Sequence, residues 1–406
     1  MAFLVLIIFV LTYLGVAFGR VRGLLLVRTG IALIGAIAMI VTGAVSLEAA
    51  VDSVDMPTIL LLYALMVISA QLRLGGFYTR IVLQMAPLTD RPRLFLLIVM
   101  LTSAILSAVL ANDIICLAFT PVLAVVLLNS RLNPLPFLLG LAISSNIGSA
   151  ATIIGNPQNM LIGQVGRLHF GEFLLWCGPP SFVALATSYL YLCWLYRGKL
   201  VVSAGRSIPQ KGDAWPAFNR WQSSKGLFVT LALVVLFFTP IPREISALAA
   251  AGLLLCSRQM RSKHILGLVD WHLITLFCAL FVVIHSIELY QVPSKIIAIL
   301  SDAGIHLSDL LTLTGVSVIL SNLVSNVPAT MLLIQFLDPS NPAEWYTLAV
   351  SSTFAGNLII IGSIANLIVI EQAKAFDIEI SFKDHARVGV PVTLLSLLAL
   401  IGWIYF

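Results

Sequence analysis

The sequence predicts an all-α polytopic membrane protein made of two inverted repeats. Each repeat has five crossing elements, one of them a broken helix, plus one re-entrant helical hairpin. Three observations carry the prediction. Of 406 residues, 60% are hydrophobic and only 10% charged, with mean hydropathy +1.04. A soluble domain carries about 25% charged residues, and a disordered chain pairs low hydrophobicity with high charge, so both classes are excluded. Four apolar segments outrun a single span and carry polar residues at their centres. Those four segments also match one another in pairs.

In chain order, spans of about 20 apolar residues appear near 2–18, 24–46 and 57–74. The first lacks the basic start and small-residue cleavage site of a signal peptide, so it reads as a retained span. Residues 94–128 then form an apolar run of 35 residues, broken only at Ala111-Asn112-Asp113. As one helix it would be about 52 Å long against a hydrocarbon core of about 30 Å, and as two spans with a turn it is short. A hairpin with Asn112 and Asp113 at its tip fits. Residues 135–166 are overlong with a polar, glycine-rich centre, Ser144-Ser145-Asn146-Ile147-Gly148-Ser149 and Ile154-Gly155-Asn156-Pro157-Gln158-Asn159. Irregular backbone at membrane depth survives only inside protein or along a cavity, which predicts a broken helix. A span at 173–196 completes the first repeat, 1–196.

The polar stretch 197–225 holds six basic residues and Asp213 as its one acid, and reads as a cytoplasmic linker. The second repeat, 226–406, opens with spans at 226–242, 244–257 and 272–289. Its hairpin is 307–337, with Ser325-Asn326 at the tip and Pro328 just beyond. Its broken helix is 345–373, with Ser351-Ser352-Thr353, Gly356-Asn357, Ile361-Gly362-Ser363 and Asn366 at the centre. A last span covers 387–406.

The halves align directly. Ile105-Leu106-Ser107 through Asn112 matches Ile319-Leu320-Ser321 through Asn326 at an offset of 214, and Ser144-Ser145, Ile154-Gly155 and Asn159 match Ser351-Ser352, Ile361-Gly362 and Asn366 at 207. With the N-terminus and C-terminus outside and both hairpins re-entrant, twenty of the 23 Lys and Arg residues fall on the cytoplasmic side. Only Arg167, Arg243 and Lys295 fall outside, as the positive-inside rule requires. The charge of +5 therefore reads as cytoplasmic anchoring, and no nucleic-acid partner is needed.

Inverted repeats with broken helices describe a transporter whose site lies at the repeat interface. Half-helix N-termini suit an anionic or strongly polar solute, and unwound carbonyls with side-chain amides suit a small cation. The candidate binding residues are Asn112, Asp113, Ser145, Asn146, Gly148, Gly155, Asn156, Asn159, Ser325, Asn326, Gly356, Asn357, Gly362 and Asn366, followed by Ser107, Cys116 and Ser321. Asn112 and Asn326 could equally cap the second arm of each hairpin, and the glycines could serve helix packing. Asp113 is the one acid placed deep in a membrane segment, where a carboxylate costs about 2.5–3.5 kcal/mol on insertion scales. A functional role as proton carrier follows. Its repeat partner is Val327.

The five cysteines lie inside apolar segments without metal spacing, and the six histidines form no metal pair, so no cofactor is implied beyond a coupling ion, H+ or Na+. His285 and Glu288 can pair on one helix face. Glu371 sits at the inner end of its span, within reach of water.

On these residues the chain resembles the ion transporter superfamily, in its branch of bacterial arsenite efflux permeases and sodium/proton antiporters. Ala111-Asn112-Asp113 followed by Thr120-Pro121 looks like the first hairpin of the arsenite permeases. The segment Ser145-Asn146-Ile147-Gly148 through Asn159 is similar to the family's Asn-Ile-Gly…Ile-Gly-Asp-Pro-Pro-Asn. Asn156 replaces the usual acid, which weighs against antiporter-like cation handling, and Gln158 replaces a proline. Sodium–carboxylate relatives carry Ser-Asn-Thr at both tips, whereas this chain reads Ala-Asn-Asp and Ser-Asn-Val. The resemblance implies an elevator-like mechanism, a homodimer in a bacterial-type cytoplasmic (inner) membrane, and a site between the hairpin tips and helix breaks.

The expected function is proton-coupled secondary transport of arsenite, antimonite or another small inorganic solute. A Na+/H+ antiporter or Na+-coupled carboxylate or sulfate transporter is the alternative, and a passive channel a further one. No intramembrane enzyme motif is present.

Overall fold

A computed structural model of the chain describes residues 1–19, 25–201, 216–302, 304 and 306–406. Among the described residues it is nearly all helical. Its strand-like pairing there is one bridge between Leu132 and Val201. The first set of helices is α1 (Ala2–Phe18), α2 (Arg28–Val41), α3 (Leu47–Asp52), α4 (Met56–Leu74) and α5 (Phe77–Met85). It continues with α6 (Pro92–Leu110), α7 (Asn112–Asn129), α8 (Pro134–Ala150), α9 (Pro157–Val165) and α10 (Phe170–Leu195). The second set is α11 (Arg220–Leu236), α12 (Arg243–Leu255), α13 (Ser262–Leu266), α14 (Trp271–Leu289) and α15 (Val292–Asp302). It ends with α16 (Leu310–Val324), α17 (Asn326–Leu333), α18 (Pro342–Ala355), α19 (Ile364–Lys374) and α20 (Phe382–Ile404). Six of these, α4, α6, α7, α10, α14 and α20, are long and apolar enough to cross a membrane by length and composition.

Local chemistry sets the starts. Proline stands in the first turn of α4, α6, α8, α9 and α18, where its missing N–H costs nothing. Asp55, Asn133, Asn156, Asn219, Asp270, Asp309 and Asn341 cap their helices with side-chain oxygens. Large apolar side chains on α1, such as Phe3, Leu11, Leu14 and Phe18, are exposed, as a lipid-facing helix requires.

The predicted segments hold their helices, with shifted bounds. α11 begins at Arg220, inside the stretch 197–225 expected to be linker. Residues 202–215 of that stretch, with Arg206, Lys211 and Asp213, lie outside the described residues, as do Arg20 and Arg22. The short helices α3, α5, α13 and α15 were not expected.

Helices pack in matching pairs. α6 lies on α8 as α16 lies on α18, and α8 meets α10 as α18 meets α20. Across the join, α2 packs on α14 as α12 packs on α4, and α7 on α19 as α17 on α9. α10 and α20 pack on each other, and so do α8 and α18.

The arms of the first hairpin, α6 and α7, hold 19 and 18 residues, about 28 and 27 Å. Each is as long as an ordinary span, so the length argument alone does not make the hairpin re-entrant. Its tip ends against the interruption between α8 and α9, where the Asn112 N–H donates to Gly155 O at 3.0 Å, the place expected of a re-entrant hairpin. The nine residues of α9 carry the broken helix about 14 Å further.

Candidate functional site

Both hairpin tips turn on a non-glycine residue with positive φ. Ala111 has φ 58°, ψ 127° and Ser325 has φ 78°, ψ 158°, and these two positions are 214 apart, the hairpin offset of the repeat. Neither caps the following helix with its side chain. Asn112 and Asn326 are the first residues of α7 and α17, and no side-chain cap is made there either. Their amides reach across to other helices instead, so the capping alternative does not hold.

Asn146, 1% exposed on α8, is the hub. Its Oδ1 accepts from Asn112 Nδ2 at 3.0 Å and from Ser363 Oγ at 3.0 Å. Its Nδ2 donates to Asn357 Oδ1 at 2.9 Å and Asn366 Oδ1 at 3.4 Å. One side chain thus joins the first tip to the break between α18 and α19. Ser145 Oγ donates to Asn112 O at 3.1 Å and lies 2.8 Å from Ser107 Oγ. Around the second tip, Asn326 Nδ2 donates to Gly362 O at 3.1 Å and Ser352 O at 3.2 Å in the orientation its neighbours favour. Gly362 corresponds to Gly155, so each tip is tied to the same glycine of its own break.

Asn159 and Asn366 perform one task twice. Asn159 Nδ2 donates to Ser149 O at 3.2 Å and Thr152 O at 3.0 Å. Asn366 Nδ2 donates to Gly356 O at 2.8 Å and Ile359 O at 3.4 Å. An unwound segment buried in a membrane protein must have its carbonyls satisfied from within, and these amides do so. Asn156 caps α9 through Asn159 N–H at 2.9 Å, and its Nδ2 reaches Ser149 Oγ at 3.0 Å and Thr353 Oγ1 at 3.2 Å.

The glycines are fixed by close approach. A Cβ on Gly148 would stand 2.3–2.6 Å from backbone atoms of Ala104, and one on Gly155 2.2–2.7 Å from those of Ser149. At Gly356 it would lie 2.8 Å from the nearer end of the Asn326 amide, and at Gly362 2.8 Å from Asn322 Oδ1.

The other predicted residues divide. Asp113 is half-buried beside the tip and makes no hydrogen bond or ion pair among the described residues. Cys116 is fully buried, one turn beyond Asn112. Ser321 is buried and its hydroxyl has no partner among the described residues. Ser325 acts through its backbone. His285 and Glu288 do pair, Nδ1 to Oε2 at 3.4 Å, and Glu371 pairs with Lys374 at 3.5 Å on an exposed surface; neither pair touches the site. Sequence reasoning missed Thr353 and Ser363, although the offset of 207 maps them onto Asn146 and Asn156. It also missed Asn322, which donates to Ala355 O at 3.1 Å.

Among the described residues, Asn112 Oδ1, Asn159 Oδ1, Asn322 Oδ1, Asn357 Nδ2 and Ser321 Oγ are buried without a hydrogen-bond partner. Three are carbonyl acceptors, one is an amide donor and one a hydroxyl. None of the hydrogen bonds described in this network comes from Lys, Arg or His.

The chain matches the family model CitMHS, citrate transporter, over residues 4–355. It is 30% identical to a 46 kDa membrane protein of Mycobacterium leprae, over 98% of this chain and 96% of that one. It is 28% identical to the silicon efflux transporter LSI3 of Oryza sativa subsp. japonica, over 90% of each chain. It is 24% identical to the putative transporter arsB of Dictyostelium discoideum, over 91% and 86%. Among solved structures it resembles Neisseria gonorrhoeae MtrF, presented with a class of antimetabolite efflux pumps, at TM-score 0.59 and 14% identity, over 99% of this chain and 94% of that one. The YdaH transporter of Alcanivorax borkumensis follows at TM-score 0.56 and 14% identity, over 100% and 97%. At that identity the likeness speaks for the fold. The chain belongs to the citrate transporter family, within the superfamily its motifs resemble, and it is a membrane transporter.

Proposed function

We propose that this member of the citrate transporter family is a secondary active transporter for a small, uncharged, hydroxylated inorganic solute. Arsenite and antimonite are the leading candidates, moved in exchange for protons by elevator-like alternating access. One observation carries the reading. The buried cluster around Asn146 offers amides and hydroxyls of both polarities, and the hydrogen bonds described in it come from no cationic side chain. A tricarboxylate buried there would meet unpaired acceptors without a balancing charge, at high cost. A weak oxyacid that stays neutral at physiological pH both donates and accepts, and matches the free acceptor of Asn112 and the free donor of Asn357. Two relatives are named for silicon efflux and for arsB, and both names fit such a solute.

In this reading Asn112, Asn146, Asn357 and Asn326 with Ser145 contact the solute. Asn156, Asn159 and Asn366 with the four glycines hold the breaks in shape. Asp113 carries the exchanged proton from beside the tip, in a homodimer with both termini outside and the linker cytoplasmic.

Everted vesicles containing the protein test this directly. Uptake of arsenite or antimonite is expected under an imposed pH gradient and not under a Na+ gradient. Asp113→Asn is expected to abolish the dependence on that gradient in a protein that still folds. Citrate uptake without arsenite uptake would replace this substrate with the one in the family's name. An unaltered pH dependence in Asp113→Asn would remove the proton role from that carboxylate.

A further inference from the structure

A cavity of about 500 Å³ opens between the first turn of α6 and the chain leaving α10, away from the solute site. Arg91, Arg93 and Leu94 line it from the start of α6, and Leu200 and Val201 from the chain leaving α10. Both arginines are exposed, and neither makes an ion pair among the described residues. The far wall is fixed in place. Asn133 N–H donates to Leu200 O at 2.8 Å, Asn133 Nδ2 donates to Lys199 O at 3.0 Å, and Leu132 bridges to Val201.

The depth of this cavity follows from its neighbours. Tyr189 on α10 donates its hydroxyl to Arg93 O at 3.3 Å. Tyr191 and Trp194 of the same helix end lie with ring centroids 5.8 Å apart, and Trp194 is 68% exposed. Tyr and Trp gather where the bilayer meets water, so the two guanidiniums sit at headgroup level with apolar side chains opposite them. The sequence assigns this end to the cytoplasmic side, where bilayers carry their anionic lipids.

We propose that this cavity binds the phosphate-bearing headgroup of an anionic lipid. Arg91 and Arg93 grip the phosphate, and Leu94, Leu200 and Val201 receive the glycerol and first methylenes. Guanidinium is the side chain best shaped for a phosphate, since its planar fork donates two parallel hydrogen bonds. An occupant would touch the start of the first hairpin and the start of the linker together.

The test uses the full-length protein in nanodiscs of phosphatidylcholine, alone or with phosphatidylglycerol or cardiolipin, read by thermal denaturation and by retained lipid in native mass spectrometry. Anionic lipid is expected to raise the denaturation temperature and to co-purify. Affinity for it should fall on the order of tenfold in Arg91→Gln/Arg93→Gln. Arg258→Gln, an exposed arginine elsewhere in the chain, is the charge control and should bind like wild type. Equal loss in that control, or no loss in the double variant, would overturn the site. Full stabilisation by inorganic phosphate in phosphatidylcholine discs would overturn the lipid assignment in favour of a soluble anion.

Discussion

Asn146 joins four partners because its amide accepts through Oδ1 from Asn112 and Ser363 while it donates through Nδ2 to Asn357 and Asn366. The asparagines at 112, 146, 159, 326, 357 and 366 are legible in the sequence because an amide at membrane depth is costly without use. Thr353 and Ser363 are not, since small hydroxyl residues also pack membrane helices routinely, and only the repeat offset distinguishes them. The glycines permit a sharper statement than the sequence does. Gly148→Ala places a methyl against the Ala104 backbone, which cannot retreat as a side chain can. It should cost about 1–3 kcal/mol, measured as a lower denaturation temperature in detergent. Gly252→Ala lies on α12 with nothing within 4 Å of the new carbon. It should leave stability unchanged or raise it by up to about 1 kcal/mol through helix propensity.

The hairpin is the element in which strain and site coincide. Ala111 and Ser325 adopt backbone angles that glycine tolerates and other residues resist, at about 1–3 kcal/mol each. The turn is held because its next residue is fixed on Gly155 in one hairpin and on Gly362 in the other. Ala111→Gly should therefore raise stability by about 0.5–1 kcal/mol, offset in part by a looser unfolded chain, whereas Ala111→Val should lower it. Denaturation curves of the two variants check the sign. At the start of the second hairpin, Asp309 accepts from the Thr312 N–H at 2.9 Å and hydroxyl at 2.7 Å. These bonds hold its carboxyl below the usual carboxylate range. A lowered carboxyl stabilises the fold when ionised. The stability lost in Asp309→Ala, about 0.5–1 kcal/mol as for an exposed cap, should be full at neutral pH and shrink as pH falls below about 4. The long apolar elements were legible because span length and hydrophobicity are strong signals. α5 and α15 were not, being short and amphipathic: α5 buries Tyr78, Val82 and Met85 on one face, a pattern too brief to stand out beside the spans.

At the scale of the molecule, the packing separates two groups of helices. α1, α2, α4, α11, α12 and α14 pack among themselves, and so do α6–α10 with α16–α20. The sequence suggested the repeat through two short motifs, but not that α2 would pair with α14 and α12 with α4. Such exchange depends on how the halves interlock in space, which a linear offset does not encode. If the second group moves against the first during transport, contacts between them must break and reform. Arg243, at the start of α12, supplies such a contact. Its guanidinium donates to Leu168 O at 2.8 Å, Gly163 O at 2.6 Å and Gln164 Oε1 at 2.9 Å, while Gln164 Nε2 donates to Glu244 Oε2 at 3.0 Å. These bonds pin the end of α9 to the framework. Substituting Gln164 and Glu244 by cysteine, in a chain freed of its five native cysteines, puts a thiol on each group. A short bis-thiosulfonate crosslinker across that pair should arrest transport, and reduction should restore it. The same reagent on a pair within one group, Ser103 with Ser144, should leave transport running. Undiminished transport by the crosslinked Gln164–Glu244 pair would mean that α9 and α12 stay together through the cycle, and the moving boundary would then have to lie elsewhere.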